Sequence, residues 1–306
     1  MNAKPIYVVL GPTASGKTRL AVRFAAALNS EIISADSRQV FKDMNLGTGK
    51  DYEEYIQEGR KIPVHLIDLA EPGEDFHLTA YMEHFYSVYA GLEKRNLIPV
   101  LCGGSGLYLE AVLKGFAYAF VPVDRDRRKD LEAFSKKELE EFFQSLPETP
   151  FRKLADTSTH KRLIRAIEIS EYLIVHPEYE KILPAFRPII FGLNPPVNER
   201  RKNIEIRLKQ RLEAGLVEEV AQLRLRLSDE QLMRYGLEYK FITQYLRNEM
   251  SKEKMVQLLT IAIQQFAKRQ MTYFRKLERE GYQIHWVNHE TSLADLLAVR
   301  NKKAAG

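Results

Sequence analysis

Eight residues near the amino terminus, Gly11, Pro12, Thr13, Ala14, Ser15, Gly16, Lys17 and Thr18, read GxxxxGKT, a spacing that can hold a phosphate chain. In such a loop the backbone N–H groups from about residue 13 to residue 18 curl round an anion, which then faces the positive end of the helix that follows. Pro12 has no N–H and is expected at the mouth of the cradle. Lys17 brings a point charge to the terminal phosphate oxygens. The Thr18 hydroxyl is placed to ligate a Mg2+ ion that bridges them. The phosphates can belong to a nucleotide or to another diphosphate. The plain alternative is a glycine-rich turn with a surface lysine. The apolar run IYVVL at 6–10 and the amphipathic run at 19–28 on either side argue for the loop between strand and helix.

A second set of groups follows the next apolar runs. Asp36 closes the run EIISA at 31–35 and would face the phosphates across a crevice, where it can take a proton from an acceptor hydroxyl or amine. The structural alternative makes Asp36 or Ser37 the cap of a following helix. Gln39, beyond Arg38, can offer its amide to a base edge. Gly103, Gly104, Ser105 and Gly106 give further exposed N–H groups and a hydroxyl, although strand-to-helix turns often need glycine for shape alone. Asp68, after the run VHLI, is read equally as a magnesium anchor or as a structural pair. Cys102 reads as a small buried group rather than a nucleophile.

Alternation of short apolar runs with helical patterns positions these residues. Strands are expected over 6–10, 31–35, 64–69, 98–102, 188–193 and 282–287, with helices over 19–28 and 79–94. This is an α/β fold of the P-loop NTPase-like kind, a parallel sheet core with helices on both faces. Ligands bind such sheets beyond the carboxyl ends of the strands. Charged helical segments at 124–134, 135–145 and 159–173 mark an inserted small helical domain. The expected core is 1–116 with 187–306 and the insertion is 117–186. Helices are expected to fill 197–274, and 302–306 reads as a loose tail.

Three basic clusters stand out: Lys161, Arg162 and Arg165; Arg200, Arg201, Lys202, Arg207, Lys209 and Arg211; and Lys268 and Arg269 with Arg275 and Lys276 beyond them. Each alone suits a solvated helix face. Together, with Gln270, Tyr273 and Phe274 interleaved in the last, they favour a polyanion such as RNA. The 306 residues carry a net charge of +5, which permits that partner without requiring it. The single cysteine excludes an intrachain disulfide and a cysteine-rich zinc site, and fits a reducing cytoplasm. No apolar stretch reaches membrane-span length, so neither export nor a membrane partner is expected, and the expected working form is a monomer.

In order, GPTASGKT, EIISADSRQV, GTGKD, VHLIDL, LCGGSGLYLEAVLKG, HKRLIRAIEI, AGLVEEV, YGLEYK and AKRQMTYFR resemble the tRNA dimethylallyltransferases, the isopentenyl transferases that modify tRNA, over nearly the whole chain. The resemblance implies transfer of a dimethylallyl group from dimethylallyl diphosphate to the exocyclic amine of the adenosine 3′ to the anticodon. It implies that the loop and Mg2+ hold the diphosphate, that Arg207 aids its binding, and that Asp36 is the base. It implies tRNA contacts at Asp36, Ser37, Arg38, Gln39, Ser105, Arg128, Lys161, Arg162, Leu163, Ile164 and Arg165, with the insertion gripping the anticodon stem-loop. Lys268, Arg269 and Gln270 join the expected RNA-facing set. Ser105 stands where the family usually has Thr, Tyr273 where it has Trp, and the segment before Lys161 lacks the usual Asn-Asp pair. With one cysteine the chain cannot carry the zinc finger of eukaryotic relatives, and it looks bacterial in type.

The main rival is a P-loop kinase for a nucleotide or small molecule, which explains the core but neither the basic returning helices nor AKRQMTYFR. A second rival prenylates free AMP. A GTPase-type switch would need DxxG and NKxD motifs, which are not present.

Overall fold

The structure is a computed structural model that describes residues 3–288, 291–292 and 294–298; the tail expected at 302–306 lies outside them. In chain order the elements are β1 (Lys4–Leu10), α1 (Lys17–Ala27), β2 (Ile32–Ala35), the hairpin β3 (Ile56–Gln57) and β4 (Arg60–Lys61), β5 (Val64–His65), α2 (Leu78–Lys94), β6 (Val100–Gly103) and α3 (Gly106–Lys114). Then come α4 (Arg125–Glu132), α5 (Lys136–Ser145), α6 (His160–Val175), β7 (Phe186–Leu193), α7 (Val197–Glu213), α8 (Leu216–Leu223), α9 (Asp229–Leu232), α10 (Leu237–Leu246), α11 (Lys252–Arg279) and β8 (Ile284–Val287).

The main sheet has strand order β5-β2-β6-β1-β7-β8, and its neighbouring strands pair in parallel. β1 lies inside it, Tyr7 facing Val100 on one side and Ile189 on the other. A strand buried on both faces needs apolar residues at successive positions, and Ile6 to Leu10 supply them. Tyr7 and Val9 pack with Leu20, Ala21 and Phe24 of α1. On another side Tyr81 of α2 stacks on Tyr108 of α3 at 3.8 Å, and its hydroxyl donates to the Ser34 carbonyl of β2. Helices therefore clothe the sheet, as an α/β core requires.

The chain divides into two compact units, 1–114 with 185–306, and 115–184; each cut falls two residues before the expected one. In the smaller unit α4 starts on an Asp124 cap, α5 on a Ser135–Glu138 capping box and α6 on a Thr159 cap. Their apolar faces meet around Leu131, Leu139, Phe143, Leu163 and Ile167.

One expected strand is corrected. The strand over 64–69 stops at His65, because Leu66 and Asp68 adopt φ of 64° and 55° and the chain then runs beside residues 39–40, with Asp68 N–H donating to the Gln39 carbonyl and Leu69 N–H to that of Val40. The helices expected over 197–274 are five, α7 to α11, the last running on to Arg279; Gly215 and Gly236, whose φ of 101° and 151° suit glycine, mark two of the four breaks. These helices share an apolar cluster with Val40, Phe41 and Met44, which fixes the segment after β2 against them.

Candidate active site

Between β1 and α1 the chain turns through Ala14 at φ 58° and Gly16 at φ 78°, and α1 begins at Lys17. This is the geometry that aims successive N–H groups at an anion. Gly11 is required because a Cβ there would lie 2.6 Å from Ser15 Oγ and 3.1 Å from the Leu193 carbonyl oxygen. Ser15 is buried and its Oγ has no partner among the described residues. Burial pushes the Lys17 ammonium below its ordinary pKa. A partly desolvated cation and an orphaned hydroxyl beside turned-in amides fit a phosphate.

Two features of the loop differ from expectation. Pro12 is buried rather than at the mouth. Thr13 N–H does not face the anion: it donates to Gln270 Oε1 at 2.8 Å, while Gln270 Nε2 donates to the Gly104 carbonyl at 2.9 Å. Gln270 is 8% exposed, so the expected RNA contact is replaced by a strut from α11 to the phosphate loop and the turn after β6. Gln270→Leu would orphan both backbone groups, at about 1–3 kcal/mol each. The expected result is a lower midpoint of chemical unfolding with stem-loop affinity at the wild-type level. A weaker stem-loop affinity without destabilisation would restore the RNA role.

A cleft of about 630 Å3 lies over the carboxyl ends of β1, β2 and β6, lined by Thr13, Lys17 and Thr18, by Asp36, Ser37, Arg38 and Gln39, and by Gly103, Gly104 and Ser105. Its other wall is Arg207 and Arg211 of α7, Glu238 of α10, and Phe266, Arg269, Gln270 and Tyr273 of α11. Residues 37–40 form turns, not a helix, so Asp36 caps no helix. Its Oδ1 accepts from Arg38 N–H at 2.9 Å, which fixes the carboxylate at the strand end. Ser37 N–H donates to Ser105 Oγ at 3.0 Å, tying the ends of β2 and β6. Gln39 is corrected in the same way as Gln270. Its Nε2 donates to the Gly49 carbonyl at 2.9 Å and its Oε1 accepts from Ser34 Oγ at 3.2 Å, so the amide is engaged within the protein.

Asp68 takes the structural reading. It pairs with Lys50 and accepts from the Tyr52 hydroxyl, and it is not part of the cleft wall. Cys102 is 6% exposed and burial pushes its thiol up to about 12, which suits a packing group. Tyr273 lies over Gly106, where a Cβ would meet the ring at 2.4 Å, and its hydroxyl bonds Glu110. Arg269 is exposed and sits over the Phe266 ring at 5.9 Å, and Lys268 is exposed.

In the smaller unit the expected RNA set separates by burial. Leu163 and Ile164 are 0% and 3% exposed and belong to that unit's core, which excludes them as contacts. Arg128 forms a forked pair with Glu168 at 2.9 and 2.6 Å. Arg165 donates to the Val121 carbonyl at 2.6 Å and to Glu168 at 3.3 Å. Arg162 is exposed and pairs with Asp156, and Lys161 is exposed.

Several site residues were not found from sequence. Asp51 accepts from Arg207 Nη2 at 2.6 Å and so orients that guanidinium over the loop. Glu219 on α8 gathers the N–H groups of Asn45, Leu46 and Gly47 at 2.9, 2.7 and 3.0 Å, and also accepts from the Tyr239 hydroxyl at 2.8 Å. The segment between β2 and β3 is thereby shaped from a distance of more than 170 positions. The only advance signal was the pair of glycines in GTGKD, since Gly47 leaves room for the Tyr239 ring and Gly49 for Arg207 and Arg211.

A family model described as "IPP transferase" matches residues 39–277, and one described as "Isopentenyl transferase" matches 4–73. The chain is 46% identical over 284 residues to tRNA dimethylallyltransferase 2 of Bacteroides fragilis, covering 92% of each chain. It is 44% identical to tRNA dimethylallyltransferase 1 of Parabacteroides distasonis, covering 94% of each. A tRNA isopentenylpyrophosphate transferase crystal structure from Bacillus halodurans is similar with a TM-score of 0.71 at 28% identity, covering 99% of this chain and 96% of that one. A eukaryotic dimethylallyltransferase structure, at 20% identity and a TM-score of 0.75, shares the fold over 99% of this chain and 78% of its own.

Proposed function

The chain belongs to the IPP transferase family, the tRNA dimethylallyltransferases, and on that premise we propose how its residues work. It moves a dimethylallyl group from dimethylallyl diphosphate to the N6 amine of the adenosine 3′ to the anticodon of a tRNA, releasing diphosphate. The observation that carries the residue roles is that the phosphate cradle and the Asp36 carboxylate open into one cleft with a basic and aromatic wall.

The diphosphate sits on the loop N–H groups with Lys17 and Arg207 at its oxygens, where charge grows as the allylic carbon–oxygen bond breaks. The adenine amine is a weak nucleophile because its lone pair is delocalised into the ring. Asp36, held through Oδ1, takes the departing proton as the new carbon–nitrogen bond forms. A stacked anticodon adenosine must swing out to reach this depth. Phe266 and Tyr273 offer it apolar faces, and Arg38 and Arg269 offer positive charge to its flanking phosphates.

The donor set fits Mg2+. Thr18 faces the cleft, and no group of three or more His, Cys, Asp or Glu side chains among the described residues could hold an ion alone. Mg2+ prefers one or two protein oxygens with the remainder from phosphate and water. When bound, Mg2+ would neutralise the leaving diphosphate. The proposed working form is a monomer in the cytoplasm. No helix among the described residues is long and apolar enough to cross a membrane.

The test is a transfer assay with Mg2+, dimethylallyl diphosphate and an unmodified anticodon stem-loop, read by mass spectrometry of digested nucleosides. AMP as acceptor and ATP as donor run beside it. Dimethylallyl adenosine on the stem-loop alone is expected. Product on AMP alone, or phosphate transfer from ATP with no prenyl product, would overturn the reading. Stem-loop affinity is also expected to fall steeply with salt, and Lys268→Ala to flatten the log–log slope by about 0.7–0.9. An unchanged slope would remove Lys268 from the interface.

A further inference from the structure

Arg211 has no role in the reading above, yet it lines two adjoining cavities. One is the cleft and the other is bounded by the phosphate loop from Ala14 to Arg19; Lys17, Thr18 and Arg207 line both as well. Arg207 and Arg211 are one helical turn apart on α7 and therefore share a face. Their Nη2 atoms converge: a Cβ on Gly49 would lie 2.8 Å from that of Arg207 and 2.2 Å from that of Arg211. Gly49 at φ 72° gives the room both guanidiniums occupy.

Arg211 is the more loosely paired of the two. Asp51 is shared, but unequally: Arg207 Nη2 lies 2.6 Å from Oδ2, whereas Arg211 Nη2 lies 3.4 and 3.5 Å from the carboxylate oxygens. Charge-assisted pairs normally close to about 2.7–2.9 Å. The Arg211 side chain is 11% exposed, and its Nε has no partner among the described residues. Glu238 faces the same cleft, and its carboxyl closes no ion pair among the described residues; burial pushes its pKa up, toward the neutral form, against the weaker pull of Arg211 and Arg207. Asp36, Asp51, Glu54, Glu199 and Glu238 line the two cavities, yet among the described residues Arg211 pairs only with Asp51, and that loosely. Buried charge is tolerated when it is paired, so a guanidinium held this loosely suits an anionic ligand.

We propose that Arg211 is a second guanidinium for the diphosphate, gripping it from the α7 side next to Arg207 as Lys17 does from the loop. The inference rests on the prenyl-transfer reading for the identity of the anion. As the allylic carbon–oxygen bond breaks, its electron pair passes to the diphosphate oxygen while the new carbon–nitrogen bond forms and the amine proton goes to Asp36. Arg207 and Arg211 together offer donors to the oxygens that gain this charge. The competing role is a clamp that only holds Asp51 and its loop.

The test uses the full chain, with inorganic diphosphate and Mg2+ as the probe. Titration calorimetry is run on wild type, Arg211→Met and Arg211→Lys, with thermal melts and stem-loop binding alongside. Arg211→Met is expected to weaken diphosphate binding about 10- to 100-fold, the range for losing a hydrogen bond to a charged group, while stem-loop affinity stays at the wild-type level. Arg211→Lys keeps the charge but loses the fork, and is expected to fall between the two. Should Arg211→Met fail to fold, the Lys variant decides. A folded variant that melts lower but binds diphosphate as tightly as wild type would make Arg211 a clamp and overturn the proposal. Wild-type binding of diphosphate that depends on Arg211, with no prenyl product in the transfer assay, would uphold this site and overturn the activity instead.

Discussion

Asp36→Asn is expected to lower kcat for prenyl transfer by about two to four powers of ten while diphosphate binding stays at the wild-type level. The substitution is chosen from the geometry. Asp36 Oδ1 accepts from Arg38 N–H, and the Asn side-chain oxygen can keep that bond, so the turn after β2 and its tie to Ser105 survive. What is lost is the basicity of the oxygen that takes the amine proton. Asp36→Ala removes the turn bond as well, and is expected to show the same loss in kcat with an added fall in thermal stability. If Asp36→Asn turns over at the wild-type rate, the carboxylate only shapes the turn and the base lies elsewhere. The assay is single-turnover transfer to an anticodon stem-loop at saturating donor, which separates chemistry from binding.

Lys17→Met is expected to cut kcat/KM by about 10²–10³ and, without ligand, to raise the melting temperature at neutral pH. Burial pushes the Lys17 pKa down from 10.5, so the folded state holds this proton less tightly than the unfolded chain does. For a base shifted downward, stability rises with pH between the lowered folded value and 10.5, because the unfolded state binds more protons there. The wild type therefore bears a penalty below that window, which the Met variant does not. Diphosphate should reverse the order by stabilising the wild type alone. Melting curves at several pH values, with and without diphosphate, are the measurement. A Lys17→Met protein that melts below wild type in the absence of ligand would show that Lys17 is already well paired in the folded chain.

The parts of this site that are legible in the sequence are those where one residue type at one spacing does the work. The loop 11–18 and the carboxylate after β2 are of that kind. Polar residues with two faces are not. Gln39 and Gln270 look like RNA contacts because an amide suits a base edge, but both amides serve backbone groups of the protein itself. Nothing in spacing tells one use from the other. Leu163 and Ile164 were within reach: with Ala166 and Ile167 they form an apolar stripe of helical period, which marks a core face. Asp51 and Glu219 were hidden, since each acts on residues more than 150 positions away and local pattern carries no such information. The same limit applies to the sheet. Strand existence followed from apolar runs, but the place of β1 between β6 and β7 did not.

That place has a consequence during synthesis. β1 is made first, its partner β6 is complete at Gly103, and its other partner β7 begins only at Phe186. At ribosomal rates of about 5–20 residues per second, one edge of the nascent sheet waits roughly 4–17 s for its neighbour. Through that interval Tyr7, Val8 and Val9 lack their β7 partners, and an unpaired apolar edge is a template for other chains. A ribosome stalled inside residues 115–184 would therefore release a phosphate loop mounted on a half-paired strand. Such fragments are expected among aggregates and chaperone clients rather than as stable half-enzymes.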